Sequence, residues 1–414
     1  MWKKVVSSLT GVALILCAFV GVAKIRENLP SQKPIVLETV NDVPSEDKGP
    51  EAAFNVAAKG AVLIDAETGE VLFQQDAHKE LPLASVTKVM TMLLVMDAVD
   101  AGKITLEDTV TVSERAASMG GSQMYMEPGE THTVAQLMEG VAMASANDGC
   151  VALAEYVAGS EEIFVERMNE RAAELGMKDT HFVNTNGLPV ADHYSSAYDI
   201  GLMSKELYKH EETHKWFTTW QSTITVGLPG KEKEFGLTNT NKLIKHYQGC
   251  NGIKTGFTSD AGYCLSASAT RGQTHLIAVA LGCETAKIRN AEICKMLDYG
   301  FANFETHVAA EKGQMITTAE VRRGTPEEIQ AVTADRVTAL VKKGETDSVT
   351  TKVVMDDKVP LPLKEGDKVG SLQVLKDGKV VGECDLVSDR SVEKASFTQL
   401  VKRMLTYKGK EYGK

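Results

Sequence analysis

The apolar and polar positions of this chain fall into five successive patterns. After Lys3-Lys4 comes an almost unbroken apolar run, Gly11 to Ala23. A basic start followed by a short apolar stretch is the pattern of an export signal, and Gly21-Val22-Ala23 offers the small residues that cleavage requires. The run is also nearly long enough to remain as an uncleaved anchor. Residues 1–23 are therefore read as a signal peptide. Leu16 before Cys17 is too bulky for lipid attachment at that cysteine. Residues 24–57 carry Pro30, Pro34, Pro44 and Pro50 among charges, without apolar periodicity, and read as a tether.

From Ala61 the sequence Ala-Val-Leu-Ile-Asp-Ala, a turn at Glu67-Thr68-Gly69 and then Glu-Val-Leu-Phe predict a β-hairpin. Helical periodicity dominates from 83 to about 212, through Val89–Val95, Val134–Val157 and Glu161–Leu175. Strands return at Gly252–Phe257, Tyr263–Thr270 and Leu276–Leu281, and a helix at Ile288–Phe304. Strands on both sides of a helical block predict one sheet assembled from distant segments, a mixed α/β (α+β) domain over 58–305. Residues 306–393 turn to short strands and tight turns such as Lys376-Asp377-Gly378-Lys379, a small β-rich domain. In 394–414, Phe397, Leu400, Val401, Met404 and Leu405 fall at helical spacing beside Lys402, Arg403, Lys408 and Lys410. Ser396-Phe397-Thr398-Gln399 offers a capping box. Such a basic amphipathic helix can lie on an anionic membrane surface or dock on its own β domain.

Composition changes the picture little. An apolar share of 43% and a charged share of 24% allow ordinary buried cores, and a net charge of −11 argues against nucleic acid as a partner. Without residues 1–23 six cysteines remain, at 150, 250, 264, 283, 294 and 384, an even number compatible with pairing. Those at 264, 283 and 294 sit in apolar patterns, where a free thiol acts as a small hydrophobe. No Cys-x-x-Cys occurs, and neither a metal nor any other cofactor is signalled.

The candidate chemistry lies in three short motifs. Ser85 and Lys88, at i and i+3 of a helix, share a face, and a lysine kept neutral by burial can take the proton of a serine nucleophile. Ser45-Glu46-Asp47-Lys48 and Ser391-Val392-Glu393-Lys394 match the same pattern, but only Ser85 opens a long apolar helix. Ser145-Ala146-Asn147 interrupts an apolar segment, where its polar groups need partners or a cleft. Lys254-Thr255-Gly256 offers a cation for a substrate carboxylate, a hydroxyl, and a glycine that admits close approach of substrate backbone. The alternative is an edge strand with one exposed lysine.

In this order, Ser-x-x-Lys, Ser-x-Asn and Lys-Thr-Gly are the signature of the penicilloyl serine transferases. The longer stretches Pro82–Thr91, Met143–Asp148, Asn186-Gly187-Leu188-Pro189 with His193-Tyr194-Ser195, and Lys254–Thr258 with Ala261-Gly262-Tyr263 closely resemble the D-alanyl-D-alanine carboxypeptidases. The resemblance covers about residues 52–305 and, more loosely, the β-rich domain and terminal helix. It implies a β-lactamase/transpeptidase-like domain, an antiparallel sheet flanked by helices, and a terminal helix used as a membrane anchor. It also implies removal of the terminal D-alanine from the peptidoglycan stem pentapeptide at the outer face of the membrane, with β-lactams as covalent inhibitors. Ser85 would be the nucleophile, Lys88 its base, Ser145 a proton relay with Lys254 nearby, and Asn147 a holder of substrate amide or of the Lys88 amine. Lys254 and Thr255 would receive the carboxylate, with the backbone N–H groups of Ser85 and Phe257 as oxyanion hole. Many relatives carry histidine or tyrosine at the position of Phe257, a change to which a main-chain donor is indifferent.

A β-lactamase is the nearest rival, but the Glu-x-x-Leu-Asn element that activates the deacylating water in class A enzymes is absent. A DD-endopeptidase of the same superfamily would use the same residues. His210-Glu211-Glu212-Thr213-His214 matches the zinc-protease pattern, yet Lys209, Glu212 and Lys215 predict a solvated surface. His181, His193 and His275 are read as hydrogen-bonded structural histidines. A non-enzymatic cell-wall binder would have no chemical use for all of Ser85, Lys88, Ser145, Asn147 and Lys254.

Overall fold

The computed structural model describes residues 54–356 and 358–403. The predicted signal segment, most of the tether and the end of the terminal helix lie outside them. Strands β1 (Gly60–Asp65) and β2 (Val71–Gln75) form the expected hairpin. The Asp65 carboxylate accepts from both the amide and the hydroxyl of Thr68 in its turn. Helices α1 (Lys88–Asp100), α2 (Asn147–Ala158), α3 (Glu161–Glu174) and α4 (Ala197–Tyr208) follow. Ser160 and Ser196 cap α3 and α4 through their hydroxyls. A hairpin of β3 (Gln221–Val226) and β4 (Lys233–Thr238) leads to β5 (Cys250–Thr258), β6 (Gly262–Arg271), β7 (Thr274–Cys283) and α5 (Ala286–Asn303).

The central sheet has the order β2-β1-β7-β6-β5 and is antiparallel throughout, with Leu63 opposite Ala278. Segments more than 200 residues apart are thus joined, as the strand pattern predicts. Side chains alternate across a strand, so Val62 and Ile64 of β1 join the core under the helical block. Ala61 and Leu63 face the second core, built with Ile293, Met296 and Leu297 of α5. Burial on both faces explains why these strands read as continuous apolar runs.

Two sequence expectations shift. The stretch Val134–Val157 is not one helix. A helical turn Val134–Glu139 and a π-helical turn Gly140–Ala144 end at Ser145, which is left-handed (φ +64°), and α2 begins only at Asn147. The tether also ends earlier than residue 57, because Phe54 stacks on Phe73 at 4.7 Å and the amide of Val56 donates to Gln75 Oε1.

The β-rich domain contains β8 (Phe304–Ala310), β9 (Met315–Glu320), β10 (Glu328–Thr333), β11 (Val337–Lys342), β12 (Val349–Met355), β13 (Lys368–Lys376) and β14 (Lys379–Ser388). Its main sheet runs β9-β10-β14-β13-β12, with β8 paired to β11. Its own core includes Ile329, Ala339, Leu372, Val374 and Leu386. Arg336 ties it to the first domain through Glu67 at 2.8 Å. The six cysteines of the described residues are free thiols.

Candidate active site

The site forms where the start of α1, the break before α2 and the edge strand β5 meet. A tight turn Ala84–Thr87 precedes α1, which places Ser85 and Lys88 on one face as their spacing requires. Lys88 is fully buried, and its Nζ lies 3.0 Å from Ser85 Oγ, 2.7 Å from Asn147 Oδ1 and 2.6 Å from the carbonyl oxygen of Asn186. Burial pushes its ammonium down from the usual 10.5 to about 8. The carboxylate of Asp148 opposes this.

The break at Ser145 gives Asn147 its place at the first turn of α2, buried, with Nδ2 donating to the Gly120 carbonyl at 2.6 Å. Ser145 is buried beside it at the left-handed turn. The adjoining loop is held by Asp148, whose carboxylate accepts from the amides of Met124 and Met126. Glycine is required at 121, which is left-handed (φ +79°) and where a Cβ would stand 2.8 Å from Asn147 Nδ2.

Strand β5 has a ladder partner on one side only. Lys254 is nevertheless buried, which removes the exposed-lysine alternative. Its Nζ donates to the Thr255 carbonyl at 3.1 Å, and Thr255 Oγ1 donates to Thr240 Oγ1 at 2.7 Å. Burial, and then the charges of Lys88 and Arg289, hold the Lys254 ammonium well below the ordinary lysine range. Gly256 has a reason of its own within the fold. A Cβ there would lie 2.8 Å from the Leu83 carbonyl oxygen and 3.1 Å from the Ser85 nitrogen, so the glycine lets β5 approach the enzyme's own backbone at the serine. Phe257 is half exposed at the rim, its ring 4.3 Å from that of Tyr263.

The structure thus brings Ser85, Lys88 and Asn147 into direct contact and sets Gly256 against the serine's backbone. Several partners have no sequence signal of their own. The carbonyls of Asn186 and Gly120 and the hydroxyl of Thr240 act through atoms that any sequence offers in quantity. Asn186 is aimed by an Asx turn in which Asn184 Oδ1 accepts from the amides of Asn186 and Gly187. The zinc-protease pattern diverges. Nδ1 of the His210 ring meets Asp100 at 3.0 Å, while His214 Nε2 donates to the Tyr208 carbonyl at 2.8 Å.

An antiparallel sheet flanked by helices, with a buried serine–lysine–asparagine cluster at its edge strand and a β-rich domain after it, is the architecture of the penicillin-binding proteins. The D-alanyl-D-alanine carboxypeptidase family model matches residues 46–285, and that of the penicillin-binding protein 5 C-terminal domain matches 304–394. The D-alanyl-D-alanine carboxypeptidase DacF of Bacillus subtilis is 44% identical over 349 residues, which cover 84% of this chain and 89% of that protein. DacC of Escherichia coli is 34% identical, with 83% and 86% covered. The crystal structure of penicillin binding protein 5 from Haemophilus influenzae superposes with a TM-score of 0.66 at 32% identity, over 83% of this chain and 99% of that one. The chain belongs to the D-alanyl-D-alanine carboxypeptidase family of the penicillin-binding proteins, hydrolases that act on the peptides of the cell wall.

Proposed function

We propose that this carboxypeptidase works as a serine peptidase with Ser85 as nucleophile and Lys88 as its general base. One observation carries the assignment. A neutral amine has two N–H donors and one lone pair. The two acceptors at 2.7 and 2.6 Å, Asn147 Oδ1 and the Asn186 carbonyl, take the two N–H groups. The lone pair then faces the Ser85 hydroxyl at 3.0 Å, ready to receive its proton.

Ser85 Oγ adds to the carbonyl between the two terminal D-alanines of a stem pentapeptide as its proton passes to Lys88. The backbone N–H groups of Ser85 and Phe257 take the developing oxyanion. Ser145, with Lys254 nearby, relays a proton to the nitrogen of the departing D-alanine, leaving an acyl-serine ester. Water then adds to the ester and releases the tetrapeptide and Ser85. Lys254 and Thr255 receive the terminal carboxylate, whose negative charge favours the protonated form of the buried Lys254. A β-lactam enters the same ester-forming step and remains attached.

The extracytoplasmic location of that substrate supports export through residues 1–23. It also supports membrane attachment through the helix that begins after Ser396, where Phe397 is 81% exposed. Arg403 of the same helix donates to the Gly324 carbonyl and Thr325 Oγ1 and pairs with Glu327, so this end of the helix is fixed to the β-rich domain while Phe397 and Val401 stay exposed. The test is to incubate purified enzyme with stem pentapeptide and measure free D-alanine, alongside labelling by a fluorescent penicillin. Wild type should do both and Ser85→Ala neither. D-alanine release that survives Ser85→Ala would refute the assignment.

A further inference from the structure

We propose that His193 is a positioning residue for the oxyanion hole, acting through Thr87 to fix the plane of the Ala84–Ser85 peptide. This rests on the reading of Ser85 as nucleophile and of its N–H as an oxyanion donor. Three hydrogen bonds run in line. His193 Nδ1 lies 2.9 Å from the Val183 amide nitrogen, His193 Nε2 lies 2.7 Å from Thr87 Oγ1, and Thr87 Oγ1 lies 2.9 Å from the Ala84 carbonyl oxygen. An amide can only donate, so Nδ1 is the acceptor and Nε2 carries the hydrogen. The threonine oxygen therefore accepts from the imidazole, and its single proton goes to the Ala84 carbonyl. The direction of every bond is determined.

The last acceptor is what matters. The Ala84 carbonyl and the Ser85 N–H belong to one peptide unit, which is planar, with its C=O and N–H pointing in opposite directions when trans. Holding the carbonyl toward Thr87 aims the N–H away from it, on the side where β5 brings Gly256 against the Ser85 nitrogen. The unit needs holding because Ala84 is left-handed (φ +48°), a conformation that costs a non-glycine residue about 1 kcal/mol or more. Gly187 approaches the same carbonyl so closely that a Cβ would stand 1.8 Å from its oxygen and 2.8 Å from Thr87 Oγ1. Paired backbone bonds between Leu81 and Ser195 tie the histidine's segment to the serine's. His193, Thr87 and Ala84 are all buried, which limits the freedom of the chain of bonds. Burial, with His181 adding to it, also pushes the imidazole down to about 4, which keeps this arrangement neutral across the working range.

The test compares Thr87→Val, which keeps the shape and removes the hydroxyl, with Thr87→Ser, His193→Phe and the Thr87→Val/His193→Phe pair. Each is measured for kcat and KM on the stem pentapeptide, for the rate of labelling by fluorescent penicillin, and for thermal stability. Loss of one oxyanion donor lowers kcat about 100- to 1,000-fold, and a misaimed donor is expected to give about 10- to 100-fold. We expect that loss in Thr87→Val and in His193→Phe, with KM within about threefold of wild type. The double variant should be no worse than the weaker single one, and Thr87→Ser should recover most of the rate. Unchanged kcat in a folded Thr87→Val, a rise confined to KM, or additive losses in the pair would overturn the proposal. If either substitution unfolds the protein, the Thr87→Ser recovery and the KM–kcat split of the other decide it. Failure of the nucleophile reading shows separately, as labelling or turnover that persists in Ser85→Ala.

Discussion

The state of Lys88 gives the sharpest quantitative expectation. With its ammonium at about 8, roughly a tenth of the enzyme holds the neutral base at pH 7, against about 0.03% for a lysine at 10.5. Burial enriches the neutral amine about 300-fold, equivalent to about 3.4 kcal/mol. The second-order rate of Ser85 labelling by fluorescent penicillin should therefore rise about tenfold per pH unit from 6, bend near 8 and level off above about 9. Penicillin suits this assay because its carboxylate stays ionised throughout. Lys88→Arg, charged at every accessible pH, should stay unlabelled across the series.

Stability carries the same signature. An unfolded lysine keeps its proton to about 10.5 and the folded one gives it up near 8, so between these values the unfolded chain binds more protons. Stability must then rise with pH in that window, and the cost of burial is fully present below it. Relative to Lys88→Met, wild type should gain up to about 3 kcal/mol between pH 8 and 10.5 by denaturant unfolding. A labelling rate flat from pH 6 to 9, or one that climbs without a bend to pH 10, would refute a neutral Lys88 as the base.

Two further expectations follow from close contacts and exposure. Gly187→Ala places a Cβ 1.8 Å from the Ala84 carbonyl oxygen on a residue at φ +84°, so we expect Tm to fall by about 5–10 °C and serine labelling to drop at least tenfold. A wild-type melting curve would show that this close approach is absent. For the terminal helix, a chain beginning at residue 24 should co-sediment with anionic vesicles, more weakly at high salt, and Phe397→Glu should lower the bound fraction severalfold. Equal binding by that variant would place the membrane contact elsewhere.

How far the site could be read in advance depended on whether its parts are side chains or backbone. Ser85 and Lys88 were legible because helix geometry alone fixes an i, i+3 pair on one face. The apolar residues after them also foretold the burial that lowers the lysine. The central hairpin, the apolar strands after Gly252 and the β-rich domain were equally legible, since period and turn residues are local. The helix break at Ser145 was not, because Val141–Ala144 is apolar enough to continue a helix. The packing of the Gly120–Met126 loop against Asn147 and Asp148 holds the turn together with the amides of Ser145 and Ala146, which donate to the Gly140 carbonyl. Nor could sequence spacing join Asn186 to Lys88 across 98 residues, or set Gly256 against the serine's own backbone. The sequence by itself determined which side chains are candidates for the chemistry. Tertiary structure decided that the Asn186 carbonyl meets Lys88, that the Gly120 carbonyl meets Asn147 and that Gly256 lies against the Ser85 nitrogen, because backbone atoms are alike at every residue and acquire a role only through position.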